Sequence, residues 1–359
     1  MGYWENKRNE LIEKLPTIMD VLDRLSYGEE KWALDKSPFR LLFPSYAQDG
    51  LFEIVPGPED KDRLIPCSLS FNCYYRGESG YHKPCRPSLY RKGMDAEHIF
   101  HECLKACELE LLISDYPLTK IFDSGLQITL RNGSIYPLKL SIDAEALAQH
   151  YGIKTDLLDL TVDKFVAAFF ATTRYKDGKY YPIEPKEPEY GVIYMYSDFP
   201  FDGKDMYSQH MRVVGLQPFS RPGEQAGFVL RLGPEDDFRK KACQKIKFRQ
   251  DKDMSWLIFN YTNRSDKLFP KSILEEKTTA IINSKFYLKQ ALELCKSRYY
   301  PDVELDVLKS YIDKLHLKIK NHPPVKFTEV EKRNIIKEWD ESGFDEFRKK
   351  VIWRENFNV

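Results

Sequence analysis

Residues 138–173 read LKLSIDAEALAQHYGIKTDLLDLTVDKFVAAFFATT, and the order of signals within them sets the expected fold. Asp143 can accept a hydrogen bond from the free amides of a helix start, so it predicts the N-cap of a short helix. Gly152 supplies the stop, because glycine enters the left-handed region without a Cβ penalty. IKTDLLDLT (153–161) then reads as a turn. Thr161 or Asp163 caps a second helix, FVAAFFA at its centre (165–171), which is apolar on nearly every face. Such a helix has no side for water and belongs inside a domain. No apolar run in the chain approaches the roughly 18 residues of a membrane span.

Upstream, LSFNCYYRG (69–77) shows strand alternation at Phe71, Cys73 and Tyr75. A loop rich in Gly, Pro and basic residues follows (78–93), then a helix pattern over 95–116 that ends before Pro117. Downstream, KDGKYYPIEPKEPEY (176–190) reads as a Pro-rich surface loop. GVIYMYS (191–197), AGFVLRLG (226–233) and QKIKFRQD (244–251) read as strands. Residues 1–35 form an amphipathic helix pattern with Leu11, Ile12, Leu15, Ile18, Leu22 and Leu25 on one face, and 36–66 look irregular. Helical patterns return from Pro270 to about Leu317, and HPP (322–324) separates them from a charged helical end. The expected class is α+β, with a mixed, mostly antiparallel sheet core over 65–270 and helical extensions at 1–64 and 271–359.

The 359 residues carry 55 basic and 55 acidic side chains. Charges that cancel give no global field toward nucleic acid or an anionic membrane, and leave only local patches. Tyr and Phe number 22 each, which suits half-buried strands and the walls of ligand pockets. Seven cysteines without regular spacing favour reduced thiols. MGYWENKRNE lacks the apolar centre of a secretory signal, and Asn6 stands where myristoylation needs Ser or Thr. The expectation is a cytoplasmic protein without a membrane segment.

Four groups of residues carry candidate chemistry. Arg76-Gly77 at a strand end is either an arginine reaching to solvent or an anion clamp, with Gly77 admitting a ligand to the backbone. Arg86 and Arg91 on the next loop add to the same field. Gln149-His150-Tyr151 and Thr155 to Asp159 either cap the next helix or line a cleft beside Arg76. The capping role is favoured for Asp159, and His150 could be a base or a stacking ring. Glu224-Gln225 sit at the mouth of a late strand, where only one of two neighbours can face a given side. His101, Glu102, Cys103 and Cys107 share a helix, but no second Cys/His pair completes a tetrahedral set, so no metal is expected. There is no P-loop, GxGxxG or GxSxG.

YYRGES (74–79), PSLYR (87–91), LAQHYGIKTDLLDLTVDKFVAAFFA (147–171), RPGEQAGF (221–228) and LFP (268–270), in this order, resemble the FRG domain of bacterial proteins. Two departures stand out. Asp156 replaces the arginine usual in that family's T-R-L-L-D, and Leu160 replaces the tryptophan after the second Asp. The order of strand arginine, buried helix and late-strand Glu or Gln is more distantly similar to the ADP-ribosyltransferase fold. That similarity implies a nucleotide cleft with NAD as the cofactor and no metal. Arg76 would be the clamp, with Tyr75, Gly77, Arg91, Gln149, Tyr151 and Thr155 around the nucleotide. Glu224, Gln225 and His150 are the catalytic candidates it implies. ADP-ribose transfer or NAD cleavage by a toxin or anti-phage effector, with a protein or nucleic-acid acceptor, is one implied function. A non-catalytic nucleotide sensor is the second. The third is an interaction protein that uses its helical ends, and all three stay open at this point.

Overall fold

The structure is a computed structural model that describes residues 3–25, 52–56, 61–66, 73–129, 135–196, 211–214 and 217–347. Its centre is a sheet of six strands: β1 (Tyr74–Glu78), β2 (Leu157–Thr161), β3 (Tyr190–Tyr196), β4 (Met211–Val213), β5 (Gly227–Arg231) and β6 (Gln244–Arg249). The spatial order is β4-β5-β2-β1-β3-β6, and every pairing is antiparallel. Helices cover both faces, so the class is α+β.

LLDLT (Leu157–Thr161) is a strand rather than a turn. Leu157 packs with Ala146, Val214 and Val229, while Leu158 and Leu160 enter the main core on the opposite face. A short apolar run with both faces buried lacks the alternation that marks a half-buried strand. Asp159 is therefore a strand residue, and the helix cap falls to Asp163, which accepts from the amides of Phe165 (2.7 Å) and Val166 (3.4 Å). Asp163→Ala is expected to cost about 1 kcal/mol in denaturant unfolding.

The helix Lys164–Thr172 lies against β1. Its Val166, Ala167, Phe169 and Ala171 share a core with Tyr75, Ile193 and Phe248, and with Ile18, Val21, Leu22 and Leu25 from the N-terminal segment. The other face of the sheet packs Tyr74, Leu158, Phe228 and Tyr194 into a larger cluster with the long helix Ala96–Ser114. Leu274 and Ile281 of the helix Ile273–Asn283, Ala291 and Cys295 of Lys289–Tyr299, and Leu308 of Leu305–Lys314 join the same cluster. The C-terminal helices thus share the core of the sheet.

Several local expectations are corrected. The N-terminal pattern breaks at Pro16, whose carbonyl accepts from the Arg249 amide at 2.9 Å, to give Tyr3–Glu13 and a helical stretch over 18–25. Leu11 is exposed, and residues 26–35 lie outside the described set. Within 36–66, Phe52–Pro56 and Asp62–Pro66 pair as an antiparallel hairpin, so this part of the extension is neither irregular nor helical. The stretch read as a Pro-rich loop opens with the hairpin Thr173–Lys176/Lys179–Pro182. Asp177 (φ 50°) and Gly178 (φ 79°) turn it, as an Asp-Gly pair favours. Pro117 starts a second helix, Pro117–Ser124, at its first turn, where a missing amide is not needed. Among the described residues no helix is long and apolar enough to cross a membrane.

Candidate functional site

β1 meets β2 at the pair Tyr75↔Thr161, and the side chain of Arg76 occupies the gap beyond that pair. Its Nη1 donates to the backbone carbonyl of Asp159 at 3.0 Å, and its Nε donates to Glu78 Oε1 at 3.1 Å. Glu78 stands two residues along on the same side of the strand and is buried. The Cys85 thiol donates to the same Glu78 oxygen at 3.2 Å, and burial pushes its pKa up to about 12. Burial works against the Arg76 charge, but Glu78, Cys85 and Asp159 outweigh it and raise the guanidinium pKa. Arg91, on the loop above, is exposed. Its Nε donates to the Arg86 carbonyl at 3.1 Å, and among the described residues it forms no ion pair. Loss of surrounding water to neighbouring protein atoms, and then repulsion from Arg76, lowers its pKa.

The other wall comes from the helix Ala144–His150 and the start of β2. Gln149 Nε2 donates to Asp159 Oδ2 at 3.0 Å, and Gln149 Oε1 accepts from Thr155 Oγ1 at 2.8 Å. His150 Nδ1 meets Gln225 Oε1 at 3.1 Å, while its Nε2 lies 3.7 Å from Asp159 Oδ1. Both of these facing atoms are buried without a hydrogen bond. Gln225 Nε2 donates to the Leu268 carbonyl at 3.0 Å, so both ends of that amide are used. A Cβ on Gly227 would stand 3.1 Å from the His150 ring, which explains the glycine at the start of β5. The Asp159 side chain is 37% exposed and the His150 side chain 2%. The carboxylate can therefore meet a ligand, and the imidazole supports it from behind.

Arg76, Arg91, Gln149, His150, Thr155 and Gln225 thus gather around Asp159. The remaining candidates lie elsewhere. Tyr75 is buried on the opposite face under the helix Lys164–Thr172. Gly77 faces that same helix: a Cβ there would fall 1.7 Å from the Ala167 carbonyl oxygen, so the glycine admits a helix rather than a ligand. The Tyr151 ring lies under the Arg221 guanidinium, 4.4 Å from centroid to Cζ. Glu224 ends the short helix Ser220–Glu224, Gln225 is its C-cap, and Ala226 turns left-handed at φ 44°. The alternation of strand neighbours therefore does not govern Glu224 and Gln225.

The sequence favours a capping role for Asp159, whereas the structure makes it the centre of the network. Its signal was the acid inside the run LLDL, which a buried strand keeps only where a partner meets it. Asp156, the charge-reversed position, joins a separate ladder. Arg231 bridges Asp156 and Glu145, and Arg212 pairs with Glu145 (3.0 Å) and Asp143 (2.9 Å). The ladder lines a cavity of about 510 Å³ together with Tyr299. Lys154 does not take over the missing arginine at this site: its amide donates to Glu102 and its Nζ to Met94 Sδ. His101 Nε2 bonds the Tyr287 hydroxyl at 2.7 Å. Among the described residues no group of three or more His, Cys, Asp or Glu side chains could hold a metal ion.

No curated protein and no solved structure matches the chain. Residues 71–179 match the family model of the FRG domain. That span holds Arg76, Arg91, Gln149, His150, Thr155 and Asp159, and it ends before Glu224, Gln225 and the LFP stretch. The residues that build the network around Asp159 thus fall, Gln225 apart, within the matched segment, and the chain carries an FRG domain at residues 71–179.

Proposed function

We propose that this FRG domain binds NAD or a related nucleotide, with the phosphates at Arg91 and Arg76 and the ribose toward Asp159. One observation carries the reading: Arg91, a cation without an ion pair, stands beside a second guanidinium and a half-open carboxylate. Guanidinium forks match phosphate oxygens. The partly exposed Asp159 carboxylate can accept from a ribose hydroxyl or stabilise positive charge that develops on the sugar. Asp159 replaces Glu224 as the acid best placed for that role. A second reading, nucleotide sensing without turnover, is favoured by Gln225, which is neutral and has both amide ends occupied.

The test is calorimetric titration with NAD, ADP-ribose and ATP, followed by chromatography for free nicotinamide. Arg91→Ala is expected to weaken binding at least about tenfold, the size of one charge-assisted hydrogen bond. The melting temperature should not change, because the side chain is exposed and holds no ion pair. Arg76→Ala is a poorer probe, since it leaves Glu78 buried without its cation. Nicotinamide release that Asp159→Asn stops would establish turnover, and binding without release would establish a sensor. Folded protein that binds none of the three nucleotides would end the proposal.

A further inference from the structure

We propose that the exposed side of β6 is a binding surface for single-stranded nucleic acid, a role that does not depend on the nucleotide reading. β6 is an edge strand, and its sequence QKIKFR alternates. Ile246 and Phe248 pack into the core, so Lys245 and Lys247 share the opposite side and are exposed. The two lysines stand about 6.6 Å apart along the strand, close to the repeat of an extended polynucleotide backbone.

Aromatic rings lie between these charges. Lys247 Nζ is 4.9 Å from the centroids of both Tyr81 and Tyr190, and both rings are half-buried. Exposed Lys83 follows Tyr81 by two residues, and exposed Lys240 sits on the short helix Phe238–Lys241 that leads into β6. The acids of this region are already engaged: Asp237 with Arg239 (2.5 Å), Asp236 with Lys241 (3.4 Å) and Glu235 with Arg86 (3.6 Å). Among the described residues Lys83, Lys240, Lys245 and Lys247 form no ion pair. The result is a local cationic surface on a chain whose charges otherwise cancel.

Charge complementarity selects an anionic polymer, and the interleaved rings select one with exposed bases. Stacking on aromatic side chains is how single strands are held without sequence preference. Lysines on an edge strand also discourage strand addition, but that purpose does not call for tyrosine rings beside them. The surface is the same side of the sheet that carries Arg76. The cross-strand row runs Arg76↔Tyr194↔Lys245, which spans about 10 Å at the usual strand spacing.

Fluorescence anisotropy of the full chain with short labelled oligothymidylate and oligouridylate, from low to physiological salt, tests this. Four phosphate contacts, one for each unpaired lysine, predict a slope of log affinity against log salt of about −3. Lys245→Glu with Lys247→Glu should weaken binding at least about tenfold and flatten the slope, with an unchanged melting temperature. An abasic oligomer of equal length should bind about tenfold more weakly, from the loss of stacking. The proposal is overturned if folded protein does not bind at low salt, or if the double variant binds like the parent. Equal binding of duplex DNA, abasic oligomer or polyglutamate would overturn it as well, because each lacks the exposed bases the surface is inferred to read.

Discussion

Gly77→Ala is expected to leave little folded protein. The added Cβ would lie 1.7 Å from the Ala167 carbonyl oxygen, 2.7 Å from its carbon and 2.9 Å from the Ala171 nitrogen. All three are backbone atoms of a helix whose Ala167, Ala168 and Ala171 are fully buried, so no rotamer change relieves the clash. β1 cannot retreat either, since Gly77 is paired with Ile193 in the middle of the sheet. Either strand or helix must move as a whole and reopen the core of Tyr75, Phe169 and Phe248. The expected loss exceeds about 4 kcal/mol, in the range reserved for severe packing faults. Gly80→Ala is the matched control. Its Cβ would meet only the end of the His82 ring at 4.0 Å, and its effect should stay within about 0.5 kcal/mol. Denaturant unfolding of the two variants checks both, and a parent-like Gly77→Ala would contradict the helix–strand contact.

Asp156→Arg, which writes the usual FRG residue into this chain, is expected to destabilise it by about 2–3 kcal/mol. Arg231 now bridges Asp156 and Glu145, and Glu145 also holds Arg212 and the Tyr299 hydroxyl (3.1 Å). Burial alone would raise the Glu145 pKa, but Arg231 and Arg212 outweigh it and hold the carboxyl below its ordinary value. A third guanidinium would leave Glu145 as the nearest counter-charge for Arg231 and the new side chain, while Arg212 keeps Asp143 as well. Breaking a fully buried pair costs about 3–5 kcal/mol; the value here is lower because the Arg231 side chain is 37% exposed. Adding Arg231→Asp restores the opposite charges with their places exchanged. The double variant should recover most of the stability, with a coupling energy above about 1 kcal/mol in a double-mutant cycle. Equal stability of the single variant and the parent would show that the ladder carries no weight. The departure at position 156 is thus met by a cation delivered from β5, 75 residues further along the chain.

Sequence reading served best where structure is local. Asp143 accepts from the Ala146 amide at 3.0 Å, and Gly152 is left-handed at φ 94°. The buried helix runs Lys164–Thr172, β5 and β6 lie within the stretches read as strands, and β3 matches its stretch but begins one residue earlier, at Tyr190. Each follows from a cap, a stop or a period that a few neighbouring residues express. The failures share another cause. LLDL has no alternation because both of its faces are covered by residues far away in sequence. The role of Asp159 was hidden by the same fact, since its partners Gln149 and His150 reach it only after the helix Ala144–His150 packs beside β2.

By itself the sequence determined the α+β class, the buried central helix, the capping residues and an arginine on a strand, because local geometry and hydrophobic patterning suffice for these; the arginine stands in the middle of β1 rather than at its end. Only the tertiary structure decided what the arginine meets. Arg76 sits between Glu78 of its own strand and the carbonyl of Asp159, 83 residues away. Gly77, its neighbour in the same motif, serves the packing of a helix on the other face. The physical reason is the period of a strand: adjacent residues point to opposite sides, and which side is core and which is site depends on the layers that close over the sheet.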